Sequence, residues 1–124
     1  MQQRSDGISS TQKAPGQLPE RRQTSFEAIL CRAIRERLLV RLEYDQDFAS
    51  RLFAPHAVYR STRNKINVSG MQIDNPMQPL DRLAPRIFEV GRIRSVEIIM
   101  HHFQPDPQFT RSDPRYRNGI ICSV

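Results

Sequence analysis

The chain is short of almost everything that announces an enzyme, a membrane span or a cystine framework. Its five glycines are scattered at 7, 16, 70, 91 and 119 and form no phosphate-cradling loop. No serine stands in a nucleophile-elbow pattern. Only two cysteines occur, Cys31 and Cys122, with no motif spacing between them. That excludes a cystine-rich scaffold. The plain reading is a small buried side chain on a helix and a thiol near the end of the chain. No run approaches the roughly 18 apolar residues of a membrane-spanning helix. Met1-Gln2-Gln3-Arg4-Ser5-Asp6 lacks the basic-then-apolar layout of a secretory signal. The expectation is a cytoplasmic protein in a reducing compartment, with no membrane partner.

Lysine is nearly absent as well. Of 19 basic residues all but Lys13 and Lys65 are arginine, against 13 acidic residues, for a net charge of +6. Such a charge favours anionic partners without choosing among them. Arginine adds planar, bidentate phosphate recognition and stacking on flat rings. On charge alone, an anion-binding surface and a simply solvated one are equally supported.

The 124 residues allow one domain with a loose end. Residues 1–23, rich in Gln, Ser, Gly and Pro, are expected to be a disordered tail. Thr24-Ser25-Phe26-Glu27 fits a capping box. Phe26, Ile29, Leu30, Ala33 and Ile34 then form one apolar stripe, predicting an amphipathic helix over 24–37. The period next switches to two. Val40, Leu42 and Tyr44 mark a first strand, 51–59 a second, 65–73 a third, 86–90 a fourth and 93–103 a fifth. Pro55 marks an edge, bend or bulge in the second strand. In the third, the apolar phase shifts across Gly70, from Ile66 and Val68 to Met71 and Ile73, which predicts a bulge or bend there. Residues 74–85 read as a proline-broken loop. Residues 104–124 read as a Pro- and Arg-rich extension, with a helical turn near Phe109 and an extended piece at 120–124.

A helix followed by about five short strands predicts an α+β, mainly β fold: a five-stranded, bent, Sm-like (SH3-type) β-barrel over 24–103. Catalytic groups do not assemble. Adjacent strand residues point to opposite faces, so His101 and His102 cannot share a metal in a regular strand. Asp45 and Asp47 flank a turn, where acids are common anyway. Neither an active site, a metal nor a cofactor is expected. What remains is Arg51, His56, Tyr59, Arg60, Arg63, Lys65, Arg86, Arg92 and Arg94 along the strands, interleaved with Tyr44 and Phe88. Arginines beside aromatics can hold phosphates while a ring stacks a base. Solvent-facing arginine is the competing reading.

The segments Val-Arg-Leu-Glu-Tyr-Asp (40–45), Arg-Leu-Phe-Ala-Pro-His-Ala-Val-Tyr-Arg-Ser (51–61), Lys-Ile-Asn-Val-Ser-Gly-Met-Gln (65–72) and Arg-Ile-Phe-Glu-Val-Gly-Arg-Ile (86–93) come in an order and spacing that resembles the WYL domain of bacterial regulators. The likeness spans about residues 26–103. It implies an Sm-like barrel behind a helix, and a sensor that binds nucleic acid fragments or nucleotides through a basic groove, commonly in transcriptional regulation. By position it makes His56, Tyr59, Arg86 and Arg92 the ligand-contacting residues, with Arg51 beside them. Two departures stand out. Ile66-Asn67-Val68 occupies the place of the name-giving Trp-Tyr-Leu triad, and Gly91 replaces the usual acid before the turn arginine. With no winged helix in the 23 residues ahead of the domain, a partner protein would have to read DNA. The alternative is a protein-interaction or self-association module, a homodimer included, using Met71, Met77, Leu80 and Leu83 around the 74–85 loop.

Overall fold

The computed structural model describes residues 22–74 and 84–124. The tail through residue 21 and most of the proline-rich loop, with Met77, Leu80 and Leu83, lie outside the described residues. The elements run α1 (Thr24–Glu36), β1 (Leu38–Tyr44), β2 (Arg51–Arg60), β3 (Ile66–Asp74), β4 (Ala84–Glu89), a 3-10 turn at Val90–Arg92, β5 (Ile93–His102), a second 3-10 turn at Pro114–Tyr116, and β6 (Ile120–Ser123).

The helix forms where its apolar stripe predicts. It stops at Arg37, which adopts the left-handed conformation (φ 57) and returns its N–H to the Ala33 and Ile34 carbonyls. The capping box does not form. Gln23 is the N-cap and makes no side-chain cap bond. Glu27 is drawn off by Arg22, whose Nε and Nη2 fork onto its two oxygens at 2.9 and 2.8 Å.

The strands make one antiparallel sheet of six, in the order β4-β3-β2-β1-β5, with β6 added against β2. The fold is α+β and mostly β, as expected. The five-stranded closed barrel is not what forms. A sixth strand comes from the C-terminal extension, and no ladder joins β4 to β5 among the described residues. The 3-10 turn at Val90–Arg92 carries the chain between these two strands, so the sheet stays open.

Strand β2 organises the molecule. One of its edges pairs with β3 along nearly its whole length. The other is divided: Arg51, Leu52 and Phe53 pair with β1, while Ala57, Val58 and Tyr59 pair with β6. Between those halves the register slips at Pro55–Ala57, so His56 is the extra residue of a bulge. This is how a proline sits in a central strand. Gly70 lies opposite, and a Cβ there would stand 2.1 Å from the Ala54 carbonyl oxygen, so no other residue fits unchanged. The irregularity expected at Gly70 is thus present, but its extra residue lies in β2; β3 has its own extra residue further on, Ile73, between the pairings of Gln72 and Asp74. In β3 the inner face continues from Ile66 and Val68 through Gly70 to Gln72, a polar residue buried completely.

Two clusters pack on the sheet. Leu30, Ala33 and Ile34 of α1 join Val40, Leu42, Phe53, Val58, Val68 and Phe88 in one core cluster. Each such side chain contributes about 1.5–3 kcal/mol by leaving water. A smaller cluster joins Ala57 and Tyr59 to Tyr116, with Phe109 and Ile120 against it. The C-terminal extension thus covers part of the sheet that α1 does not.

The two cysteines are not separate thiols. Cys31 and Cys122 are joined by a disulfide, with Cα atoms 5.8 Å apart. Strand β6 carries Cys122 beside Val58, and α1 packs over both β2 and β6, so residues remote in sequence become neighbours. The bond closes a loop around nearly the whole domain. By chain entropy such a loop is worth about 4–5 kcal/mol. Replacing both cysteines by serine should lower unfolding stability by about 2–5 kcal/mol in urea titrations. Reduction of the unaltered protein should give a loss of similar size, and equal midpoints for oxidised and reduced protein would contradict this.

Candidate anion site

Tyr44, at the end of β1, meets Phe88 of β4 with ring centroids 4.9 Å apart and planes inclined by 56°. The Glu89 backbone N–H donates to the Tyr44 hydroxyl at 3.1 Å. Two strands separate β1 from β4 in the sheet order, so this contact marks where the sheet bends round on itself. Phe53 supports Phe88 from the core, edge to face at 5.1 Å.

Arginines lie over both rings. The guanidinium of Arg51, the first residue of β2, sits 5.5 Å from the Phe88 centroid. That of Arg92, the last residue of the 3-10 turn, sits 5.5 Å from the Tyr44 centroid. Arg94 of β5 reaches the β1–β2 connection, donating from Nη2 to the Asp47 carbonyl at 2.9 Å. Three basic residues from three elements therefore meet at the β1–β2 connection.

Acidic residues hold each of them in place. Asp47 Oδ2 accepts from Arg51 Nε at 2.8 Å and pairs with its Nη2 at 2.6 Å. Arg92 bonds through Nη2 to Asp45 Oδ2, an interaction that raises the Arg92 pKa further. Arg94 Nη1 lies 3.8 Å from Glu43. The tight turn makes this possible. Asp45 takes a left-handed conformation (φ 54), tolerated by aspartate, and Asp47 N–H donates back to the Tyr44 carbonyl at 3.0 Å. Three cations against three carboxylates leave the cluster balanced, so an incoming anion must exchange with a carboxylate.

One donor is left over. Gln72 Oε1 accepts from Arg51 Nη1 at 2.8 Å, but its buried Nε2 has no partner among the described residues. An unsatisfied buried donor costs about 1–3 kcal/mol. An acceptor reaching past Arg51 would relieve that cost.

The five residues chosen from sequence divide between locations. Arg51 and Arg92 share the aromatic pair. Arg86 lies two residues before Phe88, on the same side of β4, and donates to the Pro85 carbonyl at 3.0 Å. His56 and Tyr59 are both 2% exposed and hold the C-terminal extension. Tyr59 meets Tyr116 edge to face at 4.7 Å, and burial raises its pKa. His56 donates from Nδ1 to the Ala54 carbonyl at 2.8 Å and accepts at Nε2 from the Asp106 N–H at 2.9 Å. Phe103 and Phe109 flank its ring. Of the remaining basic residues, Arg60, Arg63 and Lys65 gather at the far end of β2, about 30 Å from Arg51 at strand spacing. The sequence reading missed Asp45 and Asp47 as counter-ions, and Gln72. Two aspartates bracketing the turn after the Tyr44 strand were the available signal. Nothing in the pattern marked Gln72.

No family model matches this chain, and no curated protein matches it. Among the described residues no helix is long and apolar enough to cross a membrane, and no group of His, Cys, Asp and Glu is arranged to hold a metal.

Burial lowers the pKa of His56, and nearby Arg37 adds to this, against smaller opposing effects of the Ala54 hydrogen bond and Asp106. Unfolded, His56 titrates near 6.5, and folded it titrates below that. Stability is therefore complete above pH 6.5 and falls as the pH drops through the folded value, because the unfolded chain then binds more protons. Thermal melts from pH 7.5 to 5 should show this loss, and His56→Gln should flatten it over the same range. An unchanged slope in the variant would contradict the assignment.

Proposed function

We propose that this chain is a non-catalytic, WYL-like sensor module that binds a nucleotide or single-stranded nucleic acid in a regulatory role. The observation that carries the reading is the placement of Arg51 over Phe88 and of Arg92 over Tyr44, two rings in contact. Guanidinium groups over a buried Phe88 and a half-buried Tyr44 match a ligand with phosphates and a flat base beside Tyr44. The orphan Gln72 amide behind Arg51 adds a donor. The helix-first order, the β4-β3-β2-β1-β5 run and the 3-10 turn before β5 agree with an Sm-like barrel in an opened form. Such a sensor works in the cytoplasm, where cellular thiols keep most cysteine pairs reduced. There the Cys31–Cys122 bond would close only under oxidising conditions.

On this reading Asp45 and Asp47 occupy the arginines until a phosphate displaces them. A fluorescent oligothymidine should bind, and its affinity should fall steeply between about 50 and 200 mM salt. Arg51→Ala and Arg92→Ala should each weaken binding about ten-fold or more, whereas Asp45→Asn with Asp47→Asn should strengthen it. Salt-independent binding, or weaker binding by the Asn variant, would refute the assignment.

A further inference from the structure

A second concavity lies away from the arginine cluster, where the C-terminal extension crosses the bulge of β2. It encloses about 290 Å³, room for a single-ring molecule. The Ser69 and Tyr116 hydroxyls, bonded to each other at 2.7 Å, line it together with the rings of His56 and Phe109. Two hydroxyls sharing one hydrogen bond leave one O–H to offer an occupant.

The charges here run against the rest of the chain. Asp106 and Asp113 line the cleft with one cation, Arg115, and that cation is already engaged. Its Nε pairs with Asp113 Oδ1 at 3.2 Å, and its guanidinium lies 5.8 Å from the Tyr116 centroid. His56 adds no charge, since both its nitrogens are used and burial keeps it neutral. Turn bonds occupy Oδ1 of both aspartates: the Gln108 N–H donates to Asp106 at 3.0 Å and the Arg115 N–H to Asp113 at 2.9 Å. Among the described residues the second oxygens of both aspartates accept no hydrogen bond and can balance a ligand. In a chain of net charge +6, this is an aromatic cleft of net charge −1.

We infer that this cleft is a binding site for a small organic cation, an amine on or beside a single ring. The ring lies against Phe109 and Tyr116, and the ammonium meets Asp106 and Asp113. Anions belong to the arginine cluster and are repelled here, so the two sites take ligands of opposite charge and either can exist without the other.

Three isosteric probes test this in amide-detected NMR titrations of the full chain: benzylammonium, benzyl alcohol and benzoate. Benzylammonium should shift Ser69, Met71, Phe109 and Tyr116 saturably, with the other two much weaker. Asp106→Asn and Asp113→Asn keep the turn acceptor and remove the charge. Each should weaken benzylammonium about two- to five-fold without changing the melting temperature. The proposal is overturned if benzoate or benzyl alcohol binds as well as the cation, or if shifts at the cleft do not saturate. Unchanged affinity in both Asn variants overturns it equally.

Discussion

Tyr44 and Phe88 come from strands that are not neighbours in the sheet, and their contact holds two distant stretches of chain together at one point. Strand β1, paired with both β2 and β5, carries Arg51 and Arg92, 41 residues apart in the sequence, to one end of the sheet, and the ring contact sets their guanidinium groups over a single aromatic pair. Phe53 beneath Phe88 fixes the pair from the core side, and the Glu89 N–H fixes the Tyr44 hydroxyl. No ladder closes the bend among the described residues; the two rings, the Glu89–Tyr44 hydrogen bond, the Asp45–Arg92 backbone bond and the packing of the Val90–Arg92 turn on β3 hold it. Everything proposed about anion binding depends on that bend.

The arginines are ordered before any ligand arrives. Arg51 is gripped by Asp47, Gln72 and the Phe88 ring, so little further side-chain entropy is lost on binding. On the proposed reading the same carboxylates would compete with phosphate, so that a multivalent anion would displace them more readily than a weak one. Arg92 and Asp45 are both about half exposed, and an ion pair in that setting adds at most about 1 kcal/mol. In the proposed exchange the Arg92 pair would therefore open at little cost. The Arg51 pair with Asp47 is far less exposed and would be the harder one to open.

Much of this architecture is legible in the sequence, and the parts that are not have identifiable reasons. The period of 3.6 gives α1 to within a residue, and the period of two gives five of the six strands. The apparent phase shift at Gly70 marks a real irregularity but puts its extra residue in β3, because a buried position on the inner face is filled by Gln72 and burial there does not track hydrophobicity. The capping box fails because Arg22 outcompetes the helix amides for Glu27. The disulfide is invisible to spacing rules because only the pairing of β6 with β2 brings Cys122 to α1. Two of the residues matched by position, His56 and Tyr59, are spent on binding the chain's own C-terminal extension. That extension turns part of the β2 surface into a core and creates the acidic cleft, and its sequence, broken by prolines, carries no periodic sign of either.

The central claim is that Arg51 and Arg92 form one site through the Tyr44–Phe88 pair. A double-mutant cycle on oligonucleotide affinity tests it most directly, using Arg51→Ala, Arg92→Ala and both together. Groups sharing one ligand through a common support should couple by about 0.5–3 kcal/mol, the double variant losing less than the sum of the single losses. Strict additivity within about 0.3–0.5 kcal/mol would mean two independent surface cations and contradict the account.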